Sequence, residues 1–81
     1  MSHLVTVKKL GDVVDIYSLQ IGDYFVEDCY YYPVYKVVRY YHINGMNVVM
    51  AYDMDTGEES EWGYKDPAFA PQVIKVEEIK G

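Results

Sequence analysis

The dipeptide Asn44-Gly45, set between two runs of branched and aromatic residues within positions 34–52, constrains this chain more than any other feature. Both residues tolerate the positive φ angles of a type I′ turn, whose twist matches that of two antiparallel strands. A two-residue turn also fixes register. It pairs Ile43 with Met46, Tyr41 with Val48, Arg39 with Met50 and Val37 with Tyr52 on one face. Val38 with Ala51, Tyr40 with Val49 and His42 with Asn47 share the other. Both faces are apolar near the middle, which places the hairpin inside a curled sheet rather than at its margin.

The remaining segments carry the same signature. The chain has ten tyrosines and three alanines, a balance that favours pleated strands over helices. No window of a dozen residues holds an apolar stripe at helical spacing without a Gly, a Pro or a branched run breaking it. Met54-Asp55-Thr56-Gly57 reads as a second reversal, with Gly57 in the left-handed position of a bulge. Beyond it Ser60, Trp62 and Tyr64 alternate with Glu59, Glu61 and Gly63, an aromatic face backed by an acidic one. Pro67 and Pro71 bracket a compact connection with room for one 3₁₀ turn, and a last strand follows at 73–79. Upstream, Gly22-Asp23 turns the chain into Tyr24, Phe25 and Val26. Residues 4–17, split by Gly11-Asp12, supply a strand or a packed arm. With 81 residues there is one core and one domain. The expectation is an all-β fold: a five-stranded antiparallel barrel over residues 20–81, at most one short 3₁₀ turn, and an N-terminal strand or arm over 1–19.

Four stretches carry a resemblance. Ile21-Gly22-Asp23-Tyr24, then Tyr35-Lys36-Val37-Val38, then residues 48–53 with Asp55-Thr56-Gly57-Glu58, and finally residues 73–79 resemble the successive elements of an SH3-like or Tudor-like barrel. The likeness spans residues 20–79, and the tyrosine-rich first loop and the N-terminal segment depart from it. It implies a binding module, and the Tudor variant implies an aromatic cage for a cationic ammonium group, built from Tyr24, Tyr35, Tyr52 and Trp62 beside Asp53 or Asp55. In general character the chain is similar to a small acidic bacteriophage accessory protein.

Charge narrows the partners. Thirteen acids against seven bases leave a net charge of −6, the wrong sign for a phosphate backbone. The bases are scattered, so no positive groove is expected to accompany the aromatic rings, and direct nucleic-acid binding is disfavoured. No apolar run reaches the roughly 18 residues that cross a bilayer, and no apolar signal core is present. Cys29, the single cysteine, closes no intrachain disulfide, which suits a reducing, cytoplasmic setting.

Asp53, Asp55, Glu58, Glu59 and Glu61 form the densest charged feature, with no base among them. A calcium loop opening at Asp53 would place Glu58 where a Gly is needed and Tyr64 where a bidentate acid is needed, so that spacing fails. The acids read instead as a solvated hairpin tip that discourages edge pairing, or as a patch that docks on a basic protein. Tyr30, Tyr31 and Tyr32 form a second candidate contact, because tyrosine offers rigid area with one hydroxyl. Catalysis has thin support. Glu27 and Asp28 beside Cys29 keep the thiol protonated, His42 sits at the hairpin tip and His3 near the N-terminus, and no zinc spacing exists. No enzyme, metal or cofactor is implied. The reading is a non-catalytic module binding a protein with a basic surface through Tyr30, Tyr31, Tyr32, Asp53, Asp55, Glu58, Glu59, Glu61 and Trp62. The alternative is an acidic inhibitor or nucleic-acid mimic that blocks the basic cleft of a host enzyme, and self-association through strand edges is a third possibility.

Overall fold

The computed structural model describes residues 5–27 and 32–80. Asn44 at φ 52° and Gly45 at φ 75° form the tight turn that the sequence predicts, and on either side the chain is extended. Among the described residues there are six strands rather than five: β1 (Thr6–Asp15), β2 (Tyr24–Glu27), β3 (Tyr35–Ile43), β4 (Met46–Asp53), β5 (Glu59–Tyr64) and β6 (Gln72–Lys80). They form one antiparallel sheet in the order β1-β6-β2-β3-β4-β5. The sheet is open, since its outer strands β1 and β5 each have one hydrogen-bonded neighbour. The N-terminal segment supplies the sixth strand, pairing along β6 from Thr6 opposite Lys80 to Asp15 opposite Gln72.

The β3–β4 register runs from Ile43 opposite Met46 to Arg39 opposite Met50 as the two-residue turn requires, and then slips by one. Val37 pairs with Ala51, not Tyr52, and Lys36 takes Tyr52. Val38 is the extra residue of a β-bulge. The slip has a packing cause: it turns Tyr35 and Val37 to the same side as Tyr40, Val49 and Ala51, where Val37, Val49 and Ala51 are fully buried. A bulge also sharpens the local bend of its strand.

The bend is large. In a flat sheet three interstrand steps of about 4.8 Å would hold β2 and β5 about 14 Å apart. The rings of Phe25 on β2 and Trp62 on β5 nevertheless meet edge to face, 5.3 Å between centroids. The sheet therefore curls around an interior in which Phe25 stacks on Tyr35 at 5.3 Å and Tyr35 meets Trp62 at 4.9 Å. Ile16, Leu19, Tyr64, Ala70 and Val73 complete this core. A smaller cluster of Val5, Val26, Val34 and Val76 packs on the other side of β2 and β6.

Two 3₁₀ turns, not one, close the end of the core. Ile16–Ser18 follows β1 and Pro67–Phe69 precedes β6. Asp66 caps the second by accepting from the Ala68 amide at 2.9 Å. The Ile16 amide donates to the Pro71 carbonyl at 2.8 Å and binds the two connections together. The Tyr40 hydroxyl donates to the Leu19 carbonyl and holds the first turn over the concave face.

Candidate interaction surface

Alternation along β2 sends Tyr24 and Val26 to one side and Phe25 and Glu27 to the other. Glu27 thus stands on the core-facing side, two residues beyond buried Phe25, where the strand ends. On β3, Tyr35 lies opposite Phe25 and also opposite Asp53 of β4. Glu27, Tyr35 and Asp53 consequently gather at one mouth of the curled sheet. A pocket of about 240 Å³ opens there, lined by Glu27, Tyr32, Pro33 and Tyr35. The Tyr32–Pro33 peptide bond is cis. Burial raises the pKa of the Tyr35 hydroxyl above the usual tyrosine value of 10.0, and the carboxylates of Glu27 and then Asp53 raise it further. The hydroxyl therefore stays protonated in a negative field and can donate. Asp53 is itself fixed, because its Oδ1 accepts from the amides of Asp55 at 2.8 Å and Thr56 at 3.2 Å.

The four rings expected to form a cage do not converge. Tyr35 and Trp62 are packed against Phe25 inside the curl. Tyr24 lies on the opposite side of β2, within the smaller cluster and with the Lys36 ammonium 5.9 Å from its ring centroid. Tyr52 pairs with Lys36 and Glu59 and is exposed. The pleat explains the division: Tyr24 and Tyr52 are each next in sequence to a residue buried in the concave core, Phe25 and Ala51, so both must point away from it.

The acids divide in the same manner. Asp53 is half-buried at the mouth, Asp55 is partly covered within the turn, and Glu58, Glu59 and Glu61 are exposed. Glu59 and Glu61 lie on the outer face of β5, while Trp62 reaches the core from the inner face. Glu61 is held in place: the Tyr41 hydroxyl donates to its Oε2 at 2.5 Å. That hydrogen bond is the main reason the Tyr41 pKa is raised. The Arg39 guanidinium lies 5.4 Å from the Tyr41 ring centroid and donates to Met50 Sδ at 3.0 Å, covering the outer side of the central hairpin.

Of the predicted contact residues Tyr32 and Asp53, and of the predicted cage Tyr35, come to one mouth, while Glu59 and Glu61 stand on the outer face of β5 and Glu58 is exposed in the turn before it. Glu27, which the sequence does not mark as a contact residue, joins the mouth. Its signal was the position two residues after Phe25, which puts a carboxylate on the core side of a strand. Tyr30 and Tyr31, together with Cys29 and His3, lie outside the described residues. His42 is exposed at the hairpin tip with its Nδ1 3.1 Å from Asn47 Oδ1. Among the described residues no three His, Cys, Asp or Glu side chains are grouped so as to hold a metal ion, and no helix is long and apolar enough to cross a membrane. Comparison with known proteins finds no family model, no curated protein and no solved structure that matches this chain.

Proposed function

We propose that this chain is a non-catalytic protein-interaction module that receives a basic side chain of its partner at the mouth between β2, β3 and β4. The observation that carries this reading is the placement of two carboxylates, Glu27 on β2 and Asp53 on β4, on the strands that flank Tyr35 of β3, beside a pocket lined by Glu27, Tyr32, Pro33 and Tyr35. At about 240 Å³ the pocket is smaller than the roughly 300–1,000 Å³ of small-molecule sites. It suits one long side chain. A guanidinium matches the lining best, because its flat faces stack on rings while its edge donates to a carboxylate. An SH3-like arrangement of residues 20–80 belongs to this proposal, and the pairing of the last strand, β6, with the early strand β2 supports it.

The test is a titration with N-acetyl-arginine amide followed by NMR. Shifts at Glu27, Tyr32 and Tyr35 that disappear in Glu27→Gln are the expected result. An unchanged spectrum at tens of millimolar, where even a contact weaker than about 4 kcal/mol would register, would overturn the proposal. The exposure of Glu58, Glu59 and Glu61 favours a second reading, a mimic of nucleic acid that occupies a basic cleft. Such a mimic would compete with DNA or RNA for its target and would weaken steeply with salt.

A further inference from the structure

The β4–β5 turn sets the phase of an edge. The Asp53 amide donates to the Glu58 carbonyl at 2.8 Å, which makes residues 53 and 58 a bonded pair. Bonded and non-bonded pairs alternate along an antiparallel ladder. Counting outward through the observed register, Ser60, Trp62 and Tyr64 direct their backbone groups to β4. The amides and carbonyls of Glu59, Glu61 and Gly63 therefore point away from the sheet. Among the described residues nothing pairs with them. The β5 ladder runs through all six residues without a register shift or a proline. The opposite edge is different: three register shifts interrupt β1 against β6, and such irregularity blunts a strand as a template.

We propose that the free edge of β5 takes an extended basic segment of a protein partner as an added strand. Residues of that segment opposite Glu59 and Glu61 share their outer face, so lysine or arginine at alternate positions meets a carboxylate at each. Intervening residues fall on the side of Ser60, Trp62 and Tyr64. A second copy of this chain is the poorer occupant, because it brings another net charge of −6 and the same acids to the edge, whereas a basic segment meets a carboxylate at both Glu59 and Glu61. The inference goes beyond the proposed mouth: it adds a second contact surface to the same module and names its partner's conformation.

The probe is a labelled ten-residue peptide alternating lysine with valine and threonine, compared with the same peptide N-methylated at each lysine, which keeps the charge and removes the donors. Fluorescence anisotropy and amide hydrogen exchange are read on the full chain. The unmethylated peptide should bind and slow exchange at Glu59, Glu61 and Gly63 by tenfold or more. The methylated one should bind at least tenfold more weakly, about 1.4 kcal/mol. Glu59→Lys with Glu61→Lys should lose the lysine peptide and gain its glutamate counterpart. Equal binding of the two peptides, or unslowed exchange at those three amides, would overturn strand addition. Protection of the same amides without peptide, in a dimer seen by sedimentation, would overturn the chosen occupant. If the lysine peptide fails while arginine amide still shifts Glu27 and Tyr35, the edge proposal falls and the interaction reading stands.

Discussion

The curl of the sheet can be tested by a coupling between two residues that a flat sheet would keep apart. Phe25 is fully buried on β2 and its ring meets that of Trp62 on β5 at 5.3 Å and 79°. Phe25→Leu retains most of the apolar volume and loses the ring, a change worth about 1–2 kcal/mol once the packing and ring terms are combined. Trp62→Leu removes more surface and should cost about 2–3 kcal/mol. An 81-residue domain has roughly 4–12 kcal/mol of stability in total, so both single variants remain folded where Phe25→Ala, at about 3–5 kcal/mol, endangers the domain. An edge-to-face pair contributes about 0.5–1.5 kcal/mol beyond burial. The double variant should therefore be less destabilised than the sum of the singles by about that amount. Urea unfolding followed by far-UV circular dichroism measures it, since Trp62 is the single tryptophan and its loss removes the fluorescence probe. Residues with no shared partners add to within about 0.3–0.5 kcal/mol. A coupling below about 0.3 kcal/mol would mean that β2 and β5 do not meet across one interior.

Four other outcomes follow from the same geometry. At Gly45, φ is 75° and an added Cβ meets nothing within 4 Å, so the cost is confined to the backbone: about 1 kcal/mol for Gly45→Ala and about 2 kcal/mol for Gly45→Val, seen as a drop in Tm. Tyr35, Tyr40 and Tyr64 have pKa values raised by burial above 10.0. The unfolded chain therefore releases these protons first, and the linked stability is complete below pH 10 and lost as pH climbs through the raised folded-state values; chemical denaturation at stepped alkaline pH reads this. Asp53→Ala removes the acceptor for the Asp55 and Thr56 amides and should cost about 1 kcal/mol by urea melt. Tyr35→Phe keeps the ring stack and removes the hydroxyl at the mouth, so arginine amide should bind severalfold more weakly while Tm moves by only a few degrees.

The features legible in the sequence are those dictated by a residue's own backbone. Asn44-Gly45 and Gly57 adopt positive φ, and Pro67 opens a 3₁₀ turn, because no neighbour is needed to impose these conformations. The Val38 bulge was not legible. Val37 and Val38 are the same residue, so no pattern can say which faces inward, and only packing against Val49 and Ala51 decides. Nor was β1 evident as a full strand, since Lys8-Lys9 and Gly11-Asp12 break the alternation and the strand meets β6 through register shifts. The candidate site was half legible. The sequence marks Tyr32 and Asp53 as contact residues by their chemistry and groups Tyr35 with Tyr24, Tyr52 and Trp62 by ring type alone, although the pleat sends Tyr24 and Tyr52 to other surfaces. Glu27 required knowing that β3 and β4 bring Tyr35 and Asp53 to the end of β2.

Tyr35 joins the two halves of this architecture. Its ring packs against both Phe25 and Trp62, while its hydroxyl feels the carboxylates of Glu27 and Asp53. A side chain already immobilised by the core loses little further freedom when a partner binds, so the cost of ordering it falls on folding and not on recognition. Glu59 and Glu61 stand on the far side of β5 from Trp62, and their free backbone groups belong to the sheet and not to its core. The recognition proposed at the mouth thus depends on the integrity of the aromatic interior. The recognition proposed at the β5 edge depends on the ladder with β4. Loosening the ring cluster while leaving β4 and β5 paired should weaken the first and spare the second, which makes the two surfaces separable within one small sheet.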